Sequence, residues 1–124
     1  MKILGTDFVM FNVTDMPEAV RFYRETLGLT QEVDSDEFCE FDCGNVTLSL
    51  LKDPDAGKAL GQIAFAVDDV QAAYVELKDK GVRFENEPQD YSCCKAVLLR
   101  DPDGNYVTLH RRADGTVGQQ EATG

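Results

Sequence analysis

A chain of 124 residues fits one domain, large enough to bury about two-thirds of its unfolded surface without disulfide or metal staples. Twelve Lys and Arg stand against 23 Asp and Glu, and the resulting net charge of −11 repels phosphate backbones and anionic lipid, which argues against nucleic acid or a membrane as partner. The same field attracts cations, although colloidal solubility or a salty habitat explains it equally well. Met1-Lys2-Ile3-Leu4 opens no apolar stretch of secretory or membrane-spanning length, so the expectation is a soluble, cytoplasmic protein.

The first predicted strand alternates Val9, Phe11 and Val13 on one face with Phe8, Met10 and Asn12 on the other. The odd-numbered face is the more apolar and should cover a helix. That helix follows at once. Asp15 and Glu18 make a capping box, Pro17 occupies a first-turn position that needs no N–H, and Met16, Ala19, Val20, Tyr23 and Leu27 recur at helical spacing up to Gly28. Three strand-like runs come next, Glu32 to Asp34, Glu37 to Cys43 and Asn45 to Lys52, separated by Ser35-Asp36 and by Gly44.

Sliding the chain along itself by 54 residues superposes Val13-Thr14-Asp15-Met16 on Val67-Asp68-Asp69-Val70, and the pattern repeats. Ile63, Phe65 and Val67 alternate with Gln62, Ala64 and Ala66. A second helix carries Val70, Ala73, Tyr74 and Leu77 and stops near Gly81. Strands are then expected at Val82 to Glu85, Lys95 to Arg100 and Tyr106 to His110. The last two are joined by Asp101-Pro102-Asp103-Gly104-Asn105, where Pro fixes φ and Gly supplies a positive φ for a tight hairpin. The fold class is therefore α+β, two βαβββ modules at residues 4–52 and 60–112 that form a cupped mixed sheet with helices on its outer face. The modules make a single domain over residues 1–112, linked through 52–59 and followed by a flexible tail at 113–124.

Cys39 and Cys43 lie four apart in a strand, about 13 Å if extended, and adjacent Cys93 and Cys94 on a strand point to opposite faces. Neither pair makes a Cys-x-x-Cys clip, so free buried thiols are expected rather than a zinc site or a cross-strand disulfide.

Val13-Thr14-Asp15, Arg21-Phe22-Tyr23-Arg24-Glu25-Thr26-Leu27-Gly28-Leu29 and Leu99-Arg100-Asp101-Pro102-Asp103-Gly104-Asn105 together resemble the signatures of the vicinal oxygen chelate superfamily, over roughly residues 3 to 112. That family holds glyoxalase I, extradiol dioxygenases, fosfomycin-modifying enzymes and bleomycin resistance proteins. The resemblance implies that, in metal-dependent members, the first and last strands of each module supply four His, Glu or Gln ligands inside the cup. The matching positions here are Phe8, Ser49, Gln62 and Thr108. Phe8 donates nothing, Ser49 and Thr108 are weak neutral oxygens, and Gln62 is one amide, so neither metal nor cofactor is expected.

Alternation adds Met10, Asn12, Thr47, Leu51, Ala64, Ala66, Tyr106 and the single histidine, His110, to the cup face, and His110 is the only candidate acid or base. Glu40 and Asp42 share one face of their strand, as rim charge toward a basic ligand or as plain solvated surface. The favoured expectation is a metal-independent, homodimeric binding protein for a small molecule, cationic or aromatic, resembling bleomycin resistance proteins and leaning away from enzymatic activity. The alternatives are a lyase, isomerase or dioxygenase with an atypical site, and a structural dimer with a filled cup.

Overall fold

The alternating segments assemble into two four-stranded sheets of identical connectivity. The computed structural model describes residues 1–2, 4, 6–55 and 60–119, in two units, Met1–Gly61 and Gln62–Gly124. In the first unit, β1 (Phe8–Val13), β2 (Thr30–Asp34), β3 (Phe38–Asp42) and β4 (Thr47–Lys52) lie in the order β1-β4-β3-β2. In the second, β5 (Gln62–Ala66), β6 (Gln89–Asp90), β7 (Cys94–Arg100) and β8 (Tyr106–Arg112) lie in the order β5-β8-β7-β6. β1 pairs with β4, and β5 with β8, in parallel, whereas every other pairing is antiparallel. These are the two βαβββ units of an α+β fold. No helix of the described residues is long and apolar enough to cross a membrane.

The helix α1 (Met16–Val20) starts where Asp15 accepts a hydrogen bond from the Glu18 N–H at 3.0 Å, with Pro17 in the first turn. The single helix expected from Met16 to Leu27 is α-helical only to Val20. Arg21–Thr26 widens into a π turn, closed by the Leu27 N–H on the Phe22 carbonyl at 2.9 Å. The widening accompanies two adjacent rings, Phe22 and Tyr23, that meet edge to face at 5.1 Å while Tyr23 also approaches Phe41 at 6.0 Å. Gly28, at φ +81°, then ends the helix as only glycine does without strain. α2 (Val70–Asp79) is capped by Asp69 in the same manner, through the Ala72 N–H at 3.0 Å.

The odd-numbered face of β1 covers the helix as expected. Phe11, Val13, Met16, Ala19, Val20, Tyr23, Cys39, Phe41, Leu48 and Leu50 are buried in the first unit, and Val70, Leu77, Val97, Leu99, Val107 and Leu109 in the second. Each large apolar side chain so placed contributes about 1.5–3 kcal/mol relative to exposure.

The strand expected at Val82 to Glu85 does not form. Phe84 makes one isolated bridge to Leu99 and the Glu85 N–H reaches the Leu98 carbonyl at 2.8 Å, but the Leu98 N–H is taken by the Asn86 side-chain oxygen at 2.9 Å. That capture ends the ladder, and the edge strand re-forms only at Gln89–Asp90. The expected linker is described as far as Asp55, whose N–H donates to Asp53, and its residues 56–59 lie outside the described residues. Of the expected tail, residues 113–119 form turns in which Arg112 donates to the Gly118 carbonyl at 2.8 Å, and 120–124 lie outside the described residues.

The turn between β7 and β8 is built on one buried carboxylate. Asp101 accepts the Asp103 and Asn105 N–H groups at 2.9 and 2.8 Å and the Asn105 amide at 2.9 Å, with Gly104 at φ +90°. Removing the acceptor takes one hydrogen bond from each of the two buried Asn105 donors. Asp101→Ala should therefore destabilise the protein by about 2–3 kcal/mol in urea titration, and Asp101→Asn, which keeps one acceptor, by less.

At the β3–β4 turn, burial pushes the Cys43 thiol from 9.0 up to about 11, against a lowering contribution from the Leu48 backbone and with Asp42 adding to the rise. The folded chain thus holds this proton more tightly than the unfolded chain. Its contribution to stability is complete below pH 9 and is lost as pH rises toward about 11, with a slope of at most ~1.4 kcal/mol per pH unit. Denaturation at stepped alkaline pH should show this loss, and Cys43→Ala should flatten it.

Candidate functional site

In each unit the sheet face opposite the buried one carries the candidate residues, and the strand register places them in rows. In the first unit, Met10 lies opposite Ser49, Ser49 opposite Glu40 and Glu40 opposite Val33. A neighbouring row runs Phe8, Thr47, Asp42 and Thr30, and another runs Asn12, Leu51 and Phe38. Paired residues share a face, so all of these stand together. Phe8 and Ser49 therefore share the face but not the row, since Met10 is the residue opposite Ser49.

This face mixes apolar side chains with Asn12, Thr30, Thr47 and Ser49 and with the carboxylates of Glu40 and Asp42. Phe8 is 52% exposed, Met10 40% and Leu51 38%, which leaves three large apolar side chains open to solvent. Ser49 is fully buried and donates to a Glu40 carboxylate oxygen at 3.1 Å. Glu40 is half-buried, whereas Asp42, on the same face of β3, is exposed. The sequence offered only alternation within β3. That Glu40 stands beside Ser49 depends on the β3–β4 register.

In the second unit, Gln62 lies opposite Tyr106 and Tyr106 opposite Arg100; Ala64, Thr108 and Leu98 form the next row; Ala66, His110 and Ala96 the third. Thr108 thus holds the place that Ser49 holds in the first unit, and Leu98 the place of Glu40. The Tyr106 hydroxyl accepts from Arg100 Nη2 at 2.6 Å, the guanidinium lies 4.4 Å over the Tyr106 ring, and Arg100 Nε donates to Glu85 at 2.8 Å. Neither Arg100 nor Glu85 is evident from the sequence as a site residue. Their placement follows from the β7–β8 pairing and from the interrupted ladder at Asn86.

His110 is half-buried between Ala66 and Ala96, and among the described residues no side chain hydrogen-bonds its imidazole. A general base needs such an orienting partner to hold its tautomer. Among the described residues, no three His, Cys, Asp or Glu side chains gather as a metal site. The four ligand positions that the family resemblance implies do not fit a metal either. Phe8 has no lone pair to give, and Ser49 is buried with its proton directed at Glu40.

The cysteines depart from expectation. Only Cys39 is buried, Cys43 and Cys94 are partly buried, and Cys93 is exposed. Cys93 and Cys94 do not point to opposite faces, because Cys93 lies before the first residue of β7 and the strand alternation does not reach it. Their sulfurs stand 3.2 Å apart.

Residues 5–109 match the sequence profile described as the Glyoxalase/Bleomycin resistance protein/Dioxygenase superfamily. The chain is 28% identical over 129 residues to the uncharacterized protein YraH of Bacillus subtilis (strain 168), covering 90% of this chain and 98% of that one. It is 25% identical over 116 residues to the metallothiol transferase FosB of Staphylococcus epidermidis, covering 87% and 84%. Among solved structures, the antibiotic binding protein TnmS3 of Streptomyces sp. CB03234 superposes with a TM-score of 0.79 at 24% identity, covering 91% of this chain and 99% of that one. Lactoylglutathione lyase of Agrobacterium tumefaciens does so with a TM-score of 0.75 at 21% identity, covering 88% and 94%.

Proposed function

Because this chain belongs to the glyoxalase/bleomycin resistance protein/dioxygenase superfamily, we propose that it uses the exposed sheet faces to bind a small molecule without a metal, in the manner of the superfamily's bleomycin resistance members. The observation that carries this reading is Phe8. A phenyl ring at the first ligand position offers no coordination, yet with Met10 and Leu51 it provides open apolar surface of the kind that takes up an aromatic or aliphatic ligand.

The half-buried Glu40 carboxylate stands among these side chains and selects for a cation. An amphiphilic, basic, aromatic molecule satisfies both features, and the net charge of −11 draws such a molecule in. TnmS3, which shares the fold, is an antibiotic binding protein, and so offers a precedent for small-molecule binding on this fold. We further propose that the protein acts as a homodimer.

A second reading, catalysis by a transferase or lyase of the same superfamily, is favoured by the FosB relatives. That chemistry would fall to His110, the only imidazole, which has no orienting partner among the described residues.

Native mass spectrometry with elemental analysis of protein purified without chelator separates the two readings. The binding reading expects a dimer with far less than one metal per chain, and a stoichiometric metal would overturn it. In a thermal-shift screen of basic aromatic compounds, Glu40→Gln should weaken a cationic hit about tenfold, equivalent to ~1.4 kcal/mol, with little effect on a neutral analogue. His110→Ala should leave binding within about twofold, a change of ~0.4 kcal/mol. Loss of a measurable turnover in His110→Ala would instead support catalysis.

A further inference from the structure

Each unit carries a cavity at the same place, beside the first turn of its helix and the end of its last strand. In the first unit its volume is about 600 Å³ and its walls include Met16, Glu37 and Lys52. In the second it is about 430 Å³, and Val70, Lys95 and Arg111 hold the matching positions. Both volumes fall in the range that receives small molecules, roughly 300–1,000 Å³. The β6–β7 hairpin bounds the second cavity. It is fixed by the Tyr91 N–H on the Cys94 carbonyl at 2.8 Å and tied to the end of β8 by the Ala113 N–H on the Cys93 carbonyl at 2.9 Å.

The two cavities differ in one cross-strand pair. In the first unit Glu37 stands opposite Lys52, whose N–H meets the Glu37 carbonyl at 2.9 Å, and the two charges are of opposite sign. The corresponding residues of the second unit, Lys95 and Arg111, face each other in register and are both cations. Like charges placed directly opposite on a sheet destabilise it. Lys95 is weakly compensated by Asp90 at 3.9 Å, with side chains 62% and 74% exposed. Arg111 is partly buried, and among the described residues its side chain has no hydrogen-bond or ion-pair partner.

Other charges of this cavity are already committed. Asp69 caps α2 through the Ala72 N–H, and Arg112 donates to Thr116 and to the Gly118 carbonyl. The Arg111 guanidinium and the exposed Asp68 carboxylate remain, one charge of each sign, without a side-chain partner among the described residues. A simple anion satisfies Arg111 but meets Asp68 and the field of a chain with net charge −11. A zwitterion satisfies both groups and carries no net charge against that field.

We propose that the cavity of the second unit binds a small zwitterion of the α-amino acid class. Its carboxylate takes the Arg111 fork with Lys95 alongside, and its ammonium meets Asp68. Its side chain lies against Val70, Tyr91 and Ala113, the apolar part of the lining. The site is separate from the exposed sheet faces, because Arg111 alternates in phase with the buried Val107 and Leu109 on the helix-covered side of β8.

The probe is L-leucine, which has both charges and an apolar side chain, titrated to about 20 mM into the isotope-labelled full chain and followed by amide NMR. Saturable shifts are expected at Val70, Tyr91, Lys95 and Arg111, with a Kd of about 1 mM or tighter. Leucine methyl ester lacks the carboxylate charge and N-acetyl-L-leucine lacks the ammonium, so each should bind about tenfold more weakly.

Arg111→Gln should weaken leucine and N-acetyl-leucine about tenfold and leave the ester unchanged, whereas Asp68→Asn should weaken leucine and the ester and leave N-acetyl-leucine unchanged. Arg111→Gln also removes one member of a like-charge pair, so the ligand-free variant should melt no lower than the parent chain, which separates lost binding from lost fold. Absence of saturable shifts, shifts confined to the Met10 and Glu40 face, N-acetyl-leucine binding as tightly as leucine, or a lower melting temperature for ligand-free Arg111→Gln overturns the proposal.

Discussion

Parallel pairing of the first and last strands within each unit is the constraint from which the rest follows. β1 cannot reach β4, or β5 reach β8, through a hairpin, so a crossover must intervene, and α1 and α2 provide it. Once the pair is made, the pleat divides each strand into a helix-covered side and a free side. Phe11, Leu48 and Leu50 disappear into the core, while Met10, Ser49 and Leu51 stand on the other face. A one-residue slip would exchange the two sets and bury Glu40 in place of Phe41.

The two units share this frame and differ in what it carries. At matching places, Ser49 and Thr108 each present a hydroxyl, but the third strand sets Glu40 beside one and Leu98 beside the other. The first unit therefore holds a carboxylate among exposed apolar side chains. The second ties its polar groups to one another, Arg100 to Glu85 and to Tyr106. On the first face the carboxylate takes its hydrogen bond from a neutral hydroxyl, whereas on the second the charges satisfy one another. The two modules thus share their strand order and differ in the side chains it carries.

The thiol pair shows how narrowly a pattern rule applies. Alternation holds wherever a ladder fixes φ and ψ, and it correctly sorted β1, β4, β5 and β8. Cys93 sits one residue before β7, in a loop whose direction is set by the Tyr91–Cys94 closure and by Ala113. The Val82 to Glu85 segment failed for a related reason, since the Asn86 side chain competes for a backbone donor and no hydrophobic pattern registers that competition.

From the sequence alone came the 54-residue repeat, the order of strands and helices in both units, the caps at Asp15 and Asp69, the Asp101 turn and the two faces of the principal strands. All of these are local. They depend on side-chain period, on proline and glycine dihedrals, and on donors that must be satisfied within a few residues. The pairing of Glu40 with Ser49, the Arg100–Tyr106–Glu85 cluster, the setting of His110 between two alanines and the convergence of Cys93 and Cys94 were decided only by tertiary structure. Each depends on which residue of one strand faces which residue of another, or on how a loop closes. Those are cooperative outcomes of the whole sheet, and no stretch of chain encodes them on its own.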